Sequence, residues 1–178
     1  MLDNALIKTV RDALVAGYAR AGVECGVKQA YQPTQQGNDS APTCYFFKLF
    51  DVERGQPKRQ DAWDADAGLF VRTTTQRLET HFQVQTASRQ DPTNLEQLTA
   101  SDLAQYAVAI LQDDDTIAGL RDLGLGMFRV DQVRGHRVIN GEGQFEDWPT
   151  FDFVIAHNRV TTATIQGATP VGLRIQGI

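Results

Sequence analysis

The chain has 178 residues, of which 17 are basic and 22 acidic, so its formal net charge is −5. That length fits one domain, and no apolar run approaches the ~18 residues that suggest a membrane helix. The negative balance argues against broad attraction to nucleic acid, because phosphate binding needs clustered Lys and Arg. Cys25 and Cys44 lie in no Cys-x-x-Cys motif, so we interpret both as small buried hydrophobes. The opening Met-Leu-Asp-Asn lacks the basic charge of a signal peptide, and we therefore expect synthesis in a reducing cytoplasm.

The first predicted element is a helix over residues 2–22. Apolar residues recur there at three- and four-residue steps, and Gly22 predicts the end of the helix. A short extended run, Gly26–Gln32, leads into a loop over residues 33–42 that is rich in loop-forming residues. Residues 43–51 carry aromatic side chains on both faces, which favours a strand inside a sheet over one at its edge.

Residues 52–67 carry dense mixed charge with one Gly and one Pro. This composition predicts a mobile loop or a long hairpin tip between two strands. Four of its side chains combine cations with an aromatic ring, a mixture suited to a phosphate backbone or an acidic protein partner. A solvated hairpin tip explains the same residues without any partner. These candidate interface residues are Arg54, Lys58, Arg59 and Trp63.

Two strands are predicted next, Leu69–Thr75 and Leu78–Ala87. The second alternates between apolar and polar residues, as a half-solvated antiparallel strand does. A helix over about 101–112 follows, and Thr99 with Asp102 forms a capping-box variant at its start. The side chains that we expect on its buried stripe are Leu103, Tyr106, Ala107, Ile110 and Leu111.

A second, shorter helix is predicted over Thr116–Leu123, with Asp115 as its cap and Gly124 as its stop. The pattern then predicts a strand over Met127–Val133 and a last strand that runs from Thr150 to about Ile165. The two helices therefore form a pair in the middle of the chain, between groups of strands.

A polar, glycine-containing excursion is predicted over residues 134–147. It begins with a small basic cluster, Arg134, His136 and Arg137, which we take as further candidates for a partner interface. Residues 166–178 contain Gly and Pro and are predicted to be an extended or disordered tail.

The order of these elements favours an α+β fold. Helices are segregated from runs of strands, which indicates a mixed, mostly antiparallel β-sheet with an N-terminal helix and a central helix pair packed on it. Neither an internal repeat nor an interdomain linker is visible. We therefore predict a single domain over residues 1–178.

The sequence contains no recognisable catalytic, cofactor-binding or metal-binding motif. Asp113-Asp114-Asp115 lacks the alternating spacing of a calcium loop and is explained by one helix end followed by the next helix start. The three histidines show no ligand spacing, and no Ser lies in a Gly-x-Ser-x-Gly context. One alternative stays open: a small hydrolase that uses His81, His157 and Asp152, which only the fold could bring together.

Two stretches of the chain show a pattern that is found in a known family. The first runs from Thr80–Gln85 through Gln90–Thr93 to Thr99–Leu103. The second is Phe145–Phe153, in which a Phe-Glu-x-x-Pro-x-Phe-Asp-Phe-like run precedes the final strand. Together they resemble the tail terminator, or neck terminator, proteins of bacteriophages, and the likeness covers mainly residues 70–165.

This resemblance implies a structural virion protein, not an enzyme. It implies a ring, commonly hexameric, that caps the tail tube, stops its polymerisation and forms the head–tail interface in the neck. The implied partners are further copies of the chain, the tail tube protein and a head-side connector or adaptor protein, with no cofactor, membrane or specific nucleic acid. A head-completion or adaptor protein at the same junction is the alternative. By analogy, the loops would carry the contacts.

Overall fold

The computed structural model of the protein describes residues 2–30, 41–89, 93–135, 137–139 and 145–165. Within these residues the chain forms three helices and seven strands. In chain order they are α1 (Asp3–Arg20), β1 (Gly26–Gln29), β2 (Thr43–Asp64), β3 (Leu69–Ala87), α2 (Ala100–Gln112), α3 (Asp114–Asp122), β4 (Gly126–Val130), β5 (Arg137–Ile139), β6 (Phe145–Asp147) and β7 (Thr150–Ile165).

Five of the strands form one sheet in the order β1-β2-β3-β7-β4. Strands β1 and β2 are parallel, whereas the other neighbours in the sheet are antiparallel. Strands β5 and β6 form a separate antiparallel ladder. The prediction of an α+β fold is confirmed: a mixed, mostly antiparallel sheet packs against an N-terminal helix and a central helix pair. None of the described helices is long and apolar enough to cross a membrane.

One face of the sheet packs against the helices and forms the core. Phe46, Phe82 and Phe153 are fully buried on this covered face, and the rings of Phe82 and Phe153 stack with centroids 5.1 Å apart. Each such side chain contributes roughly 1.5–3 kcal/mol by leaving water. Buried hydrogen bonds add orientation, since the Tyr18 hydroxyl donates to the Leu103 carbonyl at 2.8 Å. The alternation predicted for residues 78–87 therefore selects the covered face correctly.

Helix ends follow the predicted stop signals. Gly22 and Gly124 have φ values of 69° and 74°, a region that Gly enters without a steric penalty. After α3, the N–H groups of Gly124 and Leu125 donate back to the last turn, which satisfies carbonyls that the helix leaves open. The capping box at Thr99 is confirmed. The predicted cap at Asp115 is wrong, because Asp113 ends α2 and also caps α3 by accepting from the Thr116 N–H.

The predicted mobile loop over 52–67 is wrong, and its long-hairpin alternative is right. Strand β2 continues as far as Asp64, and β3 returns from Leu69 after a turn in which Gly68 has φ 63°. The two strands predicted over 69–87 are one strand, β3. Strand β7 extends alongside β3 as far as Ile165. We call this three-stranded extension the arm; it comprises residues 54–64, 69–77 and 158–165.

Several boundaries and faces differ from the sequence expectation. Strand β4 ends at Val130, three residues before the predicted end, and beyond it the chain keeps isolated hydrogen-bonded contacts with β7 at Asp131 and Arg134. Phe50 is 52% exposed, so the aromatic run of β2 is not covered on both faces as predicted. The open face of the sheet, opposite the helices, carries Phe50, His81 and Gln83. The predicted tail over 166–178 lies outside the described residues.

Candidate functional site

No residue of the arm belongs to the buried core that the described helices form with the sheet. Its three strands are in register, so that residues from β2, β3 and β7 form straight rows across it. Side chains over residues 53–63 and 158–164 are exposed. A sheet solvated on both faces has no core of its own to fix it, so the arm depends on its ladders and on where it joins the covered sheet.

Arg54, Lys58, Arg59 and Trp63, the predicted loop candidates, lie on strand β2 of the arm and not in a loop. The high charge density misled the prediction, because a strand with both faces in water needs no apolar alternation. A shift in register between Arg54 and Lys58 marks a bulge at Gly55, where φ is 67°. This bulge lets β2 resume its pairing with β3 beyond the Gly-Gln-Pro sequence.

The first candidate, Arg54, forms an ion pair with another residue of the same chain. Its Nε donates to the Glu79 carboxylate at 2.8 Å, and the Glu79 side chain is only 7% exposed. Burying that carboxylate without a cation beside it would be costly, so Arg54 is explained by packing at the base of the arm.

Lys58 and Arg59 differ from Arg54, since neither makes an ion pair with any described residue. They sit in consecutive rows, Lys58 beside Thr75 and Arg59 beside Thr74, and both are exposed. Adjacent residues on a strand point to opposite faces, so each face of the arm carries one cation at this level. That Lys58 and Arg59 contact a partner stays a prediction.

Trp63 contributes an exposed aromatic near the tip of the arm. It is 57% exposed and meets Phe70, 40% exposed, edge to face with ring centroids 5.0 Å apart. Two rows toward the body, on the same face, Arg72 donates two hydrogen bonds of 2.8 Å to the Asp61 carboxylate. That fork holds the pKa of Asp61 below its usual range. The arm therefore presents an ordered apolar row beside an ordered ion pair.

The second predicted cluster is only partly described. Arg134 forms an isolated bridge with Thr150, and its guanidinium donates to Asp152 at 2.7 Å. The same carboxylate accepts from Gln83 at 2.8 Å. Arg137 lies in β5 opposite Asp147, whereas His136 lies outside the described residues. Arg134 thus fastens the chain after β4 to the open face of the sheet.

The residues of the hydrolase alternative do not converge. His157 is in register with Leu78 and lies on the covered face, whereas His81 and Asp152 lie on the open face. The His81 ring stacks on Phe50 with centroids 4.4 Å apart. His157 lies 2.9 Å from the Thr80 hydroxyl. Because the sheet separates the two imidazoles, these three residues cannot act together on one substrate.

A chain of polar contacts surrounds His157 near the base of the arm. The Lys48 ammonium donates to Asp51 at 2.6 Å and to Asp3 at 2.9 Å, which ties β2 to the start of α1. The Thr80 hydroxyl donates to Asp51 at 2.7 Å. Burial alone would raise the pKa of Asp51, but these hydrogen bonds outweigh it and hold that pKa below its usual range. The role of this network is structural, because it holds β2 against the start of α1.

The cysteines are also structural, with one correction. Cys44 is fully buried, as predicted, and burial raises the pKa of its thiol. Cys25 is only half-buried, and burial raises its pKa to about 11. Thiols held protonated at neutral pH are poor nucleophiles and poor metal ligands. Among the described residues, no group of three His, Cys, Asp or Glu side chains is placed to hold a metal ion.

The family of the chain follows from its sequence match. The model of the family described as E217 gateway protein gp29 matches residues 5–167, from α1 to the end of β7. The chain belongs to this family of gateway proteins. The predicted resemblance to a family of bacteriophage assembly proteins is confirmed, and this gateway protein is a structural phage protein.

No sequence among the curated proteins matches the chain. Among solved structures, the sheath/tube terminator in the extended state from PVC, an extracellular contractile injection system, is similar with a TM-score of 0.48 and 12% identity. That likeness covers 97% of this gateway protein and 64% of the solved chain.

The arm of this gateway protein was not predicted from its sequence. Within the arm, the outer strands β2 and β7 each have one edge that no described residue pairs with. A signal was present in the β-branched run Thr73-Thr74-Thr75, which has high strand propensity and continues directly into the predicted strand after it. A second signal was Val160-Thr161-Thr162 in the last strand. Both runs indicate a strand. Neither indicates which face of the strand is buried, because the arm has no face in the core.

Proposed function

We propose that this gateway protein caps the tail tube of a phage, ends its polymerisation and forms the surface that meets the head-side connector. It acts as a ring, most simply a hexamer, made of single-domain copies, and it performs no catalysis. It is made in the host cytoplasm and becomes part of the virion. The family match over residues 5–167 carries this proposal.

The geometry supports the proposal in two ways. The candidate hydrolase residues lie on opposite faces of the sheet, which favours a role in assembly over one in chemistry. The arm offers exposed side chains on a preformed three-stranded scaffold, and rigid scaffolds lose little entropy when they dock. Lys58, Arg59 and Trp63 are the side chains that we assign to contacts with the tube protein or the connector.

Electron microscopy of particles from a phage that lacks this gene tests the role. Loss of a terminator yields tails of abnormal length, because nothing stops tube growth. Tails of correct length that fail to join heads would instead identify a head-completion or adaptor protein. Tail joining and tail length that are both normal would contradict either function.

Complementation with point variants tests the assigned contacts. We expect Arg59→Glu to impair complementation, because it reverses an exposed charge in the proposed interface. Arg121→Glu is the matched control, since Arg121 is an exposed residue of α3 in the helical layer. If both variants complement equally well, the assignment of Arg59 is wrong while the terminator role is unaffected.

A further inference from the structure

The arm has two edges on which no described residue forms a backbone ladder. Strand β1 pairs with β2 only as far as Phe46, and β4 pairs with β7 only as far as Ala156. Beyond those points β2 and β7 pair with β3 alone. A row of unpaired N–H and C=O groups on an edge readily accepts another strand.

The register identifies which groups point outward on β7. The Thr86 N–H donates to the Pro149 carbonyl, whereas the Thr150 and Asp152 carbonyls accept from the other side, from Arg134 and Asp131. The pairing of β3 with β7 continues without a shift to Ile165. Because outward groups alternate along a strand, the backbone groups of Val160, Thr162 and Thr164 point away from β3.

The same alternation applies to β2. Odd-numbered residues of β3 direct their backbone groups to β2, so the partners Lys58, Gln60 and Ala62 point inward. The outward backbone groups on this edge therefore belong to Arg59, Asp61 and Trp63. Each edge thus offers three residues with both a donor and an acceptor.

We propose that the β7 edge of one copy pairs in parallel with the β2 edge of the next copy, so that the arms join into one continuous sheet around the ring. This inference rests on the proposed ring. Strands β2 and β7 both run antiparallel to β3, so they run in the same direction. Rotation about a ring axis that runs along the strands preserves that direction, and pairing two different edges is a head-to-tail contact of the kind that closes rings.

Side-chain chemistry selects a register. With Trp63 beside Ile165 of the neighbouring copy, Arg59 lies beside Thr161, and the apolar row of the arm continues across the contact. A slip of two residues in one direction would place Arg59 beside Arg159, and like charges at that position are destabilising. The Trp63–Ile165 register is therefore the favoured one.

The chemistry of the edges also favours a second copy as the occupant. Exposed edges are usually protected by Lys, Pro, bulges or short length, but the β7 edge over 160–165 carries none of these. Its side chains are small and uncharged, so they oppose no charge on the β2 edge. In this register residues 58–63 of one copy lie beside residues 160–165 of the next, six residues on each edge.

Edge-blocking tests the inference. Thr162→Pro removes an outward N–H that β3 does not use, and Thr161 before it is already extended, as a residue preceding Pro prefers. We expect Thr162→Pro to reduce the oligomer to monomers in light scattering, while Thr162→Ala, which retains the N–H, assembles as the wild type does. Equal assembly of both would overturn edge pairing and leave the ring proposal standing. A wild type that stays monomeric, both free and on tail tubes, would overturn both.

Cross-linking provides a readout that does not depend on tolerance of Pro. In a Cys25→Ser background, Arg59→Cys protein is mixed with Thr161→Cys protein and oxidised. Within one copy these positions are separated by β3, roughly 9–10 Å from strand to strand, beyond the reach of a disulfide. We expect a disulfide-linked dimer in the mixture and in neither protein alone. Dimers of Arg59→Cys alone would indicate a two-fold contact, and oligomers without any cross-link would indicate another surface; either result overturns the inference.

Discussion

Gly17 sets how closely α1 and α2 approach each other. A Cβ built on Gly17 would lie 2.1 Å from Cγ2 of Ile110 and 2.8 Å from its Cγ1. Ile110 is buried and β-branched, so its side chain has few alternative rotamers into which it can retreat. The α1–α2 contact therefore requires the absence of a side chain at this position.

We expect Gly17→Ala to lower the free energy of unfolding by about 1–3 kcal/mol, the usual cost of overpacking a core. Gly119→Ala is the matched control, because Gly119 lies in α3 with nothing within 4 Å of a built Cβ. The control should be neutral or more stable by up to about 1 kcal/mol through helix propensity. Urea unfolding followed by circular dichroism measures both, and equal stability of the two variants would contradict the close approach.

The hydrogen bonds of Thr80 determine which ring nitrogen of His157 carries the proton. Thr80 gives its one hydroxyl proton to Asp51, so at 2.9 Å it accepts a hydrogen bond from Nε2 of His157. The imidazole Nδ1 is then the bare nitrogen, and it is buried without a partner in the described structure. Adding a proton there would create a buried charge and an unsatisfied donor. Burial accordingly lowers the pKa of His157.

The lowered pKa predicts the direction of a pH effect on stability. Below the ordinary His pKa of about 6.5 the unfolded chain binds a proton that the folded chain resists. The contribution of His157 is therefore fully present above that pH and is lost as pH falls from it toward the folded-state pKa. We expect the wild type to lose stability relative to His157→Gln between about pH 7.5 and 5.5. Denaturant unfolding at both pH values measures this difference, and an unchanged difference would refute the buried neutral imidazole.

At the residue scale, the sequence predicted burial well only where the fold imposes one face. Leu103, Ala107 and Ile110 are buried as the helical period requires. Tyr106 is 37% exposed, and Ala104 is buried in its place. A ranking by side-chain size favours the aromatic, whereas the core includes the small side chain of Ala104. Spacing alone gives no interhelical distance.

At the element scale, the base of the arm depends on one amide. Nε2 of Gln76 lies 3.1 Å from the Arg54 carbonyl, 3.4 Å from that of Gly55 and 3.0 Å from that of Arg77. The side chain thus supplies donors to the backbone at the bulge, where the β2–β3 ladder is interrupted between Arg54 and Lys58. Without it, the carbonyls of Arg54 and Gly55 would lose this donor at the point where the ladder cannot supply one.

We expect Gln76→Glu to loosen the arm without unfolding the body. A carboxylate at this position has no N–H to donate, so its oxygens would face three carbonyl oxygens that are also acceptors. Lost hydrogen bonds of this kind cost about 1–3 kcal/mol. Gln60→Glu, an exposed change on the same arm, is the matched control. Hydrogen exchange should accelerate over 58–75 in the first variant only, while α1 and α2 keep their protection. Faster exchange over the whole chain would show that the arm and the body unfold together.

The arm also shows where element prediction from sequence fails. Helices and the covered part of the sheet have one buried face, and burial imposes the period that makes them recognisable. Residues 52–64 have no buried face, so mixed charge, Gly55 and Pro57 resembled a loop, although the residues pair along most of their length. The strand was fixed by its neighbours and not by its own pattern.

At the scale of the whole molecule, the core and the candidate interface occupy different parts of the chain. The buried cluster joins the three helices to the covered face of the sheet and includes no residue of the arm. The sequence could therefore predict the fold class from the core, but it could not place the interface. Of the candidates, Arg54 serves the fold by pairing with Glu79, while Lys58, Arg59 and Trp63 are the residues that we propose for assembly contacts.

This separation predicts that the arm can be shortened while the body still folds. Arg54 and Arg77 are paired residues of β2 and β3, so a two-residue Asn-Gly turn can replace residues 55–76 and close the hairpin at the body. We expect the truncated chain to keep cooperative unfolding and its helical circular dichroism, because the buried cluster is intact.

The same truncation should abolish the oligomer seen by light scattering and the ability to cap tail tubes, since it removes the β2 edge and deprives the β7 edge of the β3 residues that pair with it. A full-length chain with Arg121→Glu serves as the control for nonspecific effects of a surface change. A truncated chain that assembles and caps like the full-length protein would place the ring contacts in the body, on the helices or on the open face. The arm would then be left with a different task, because its edges would be dispensable for closing the ring.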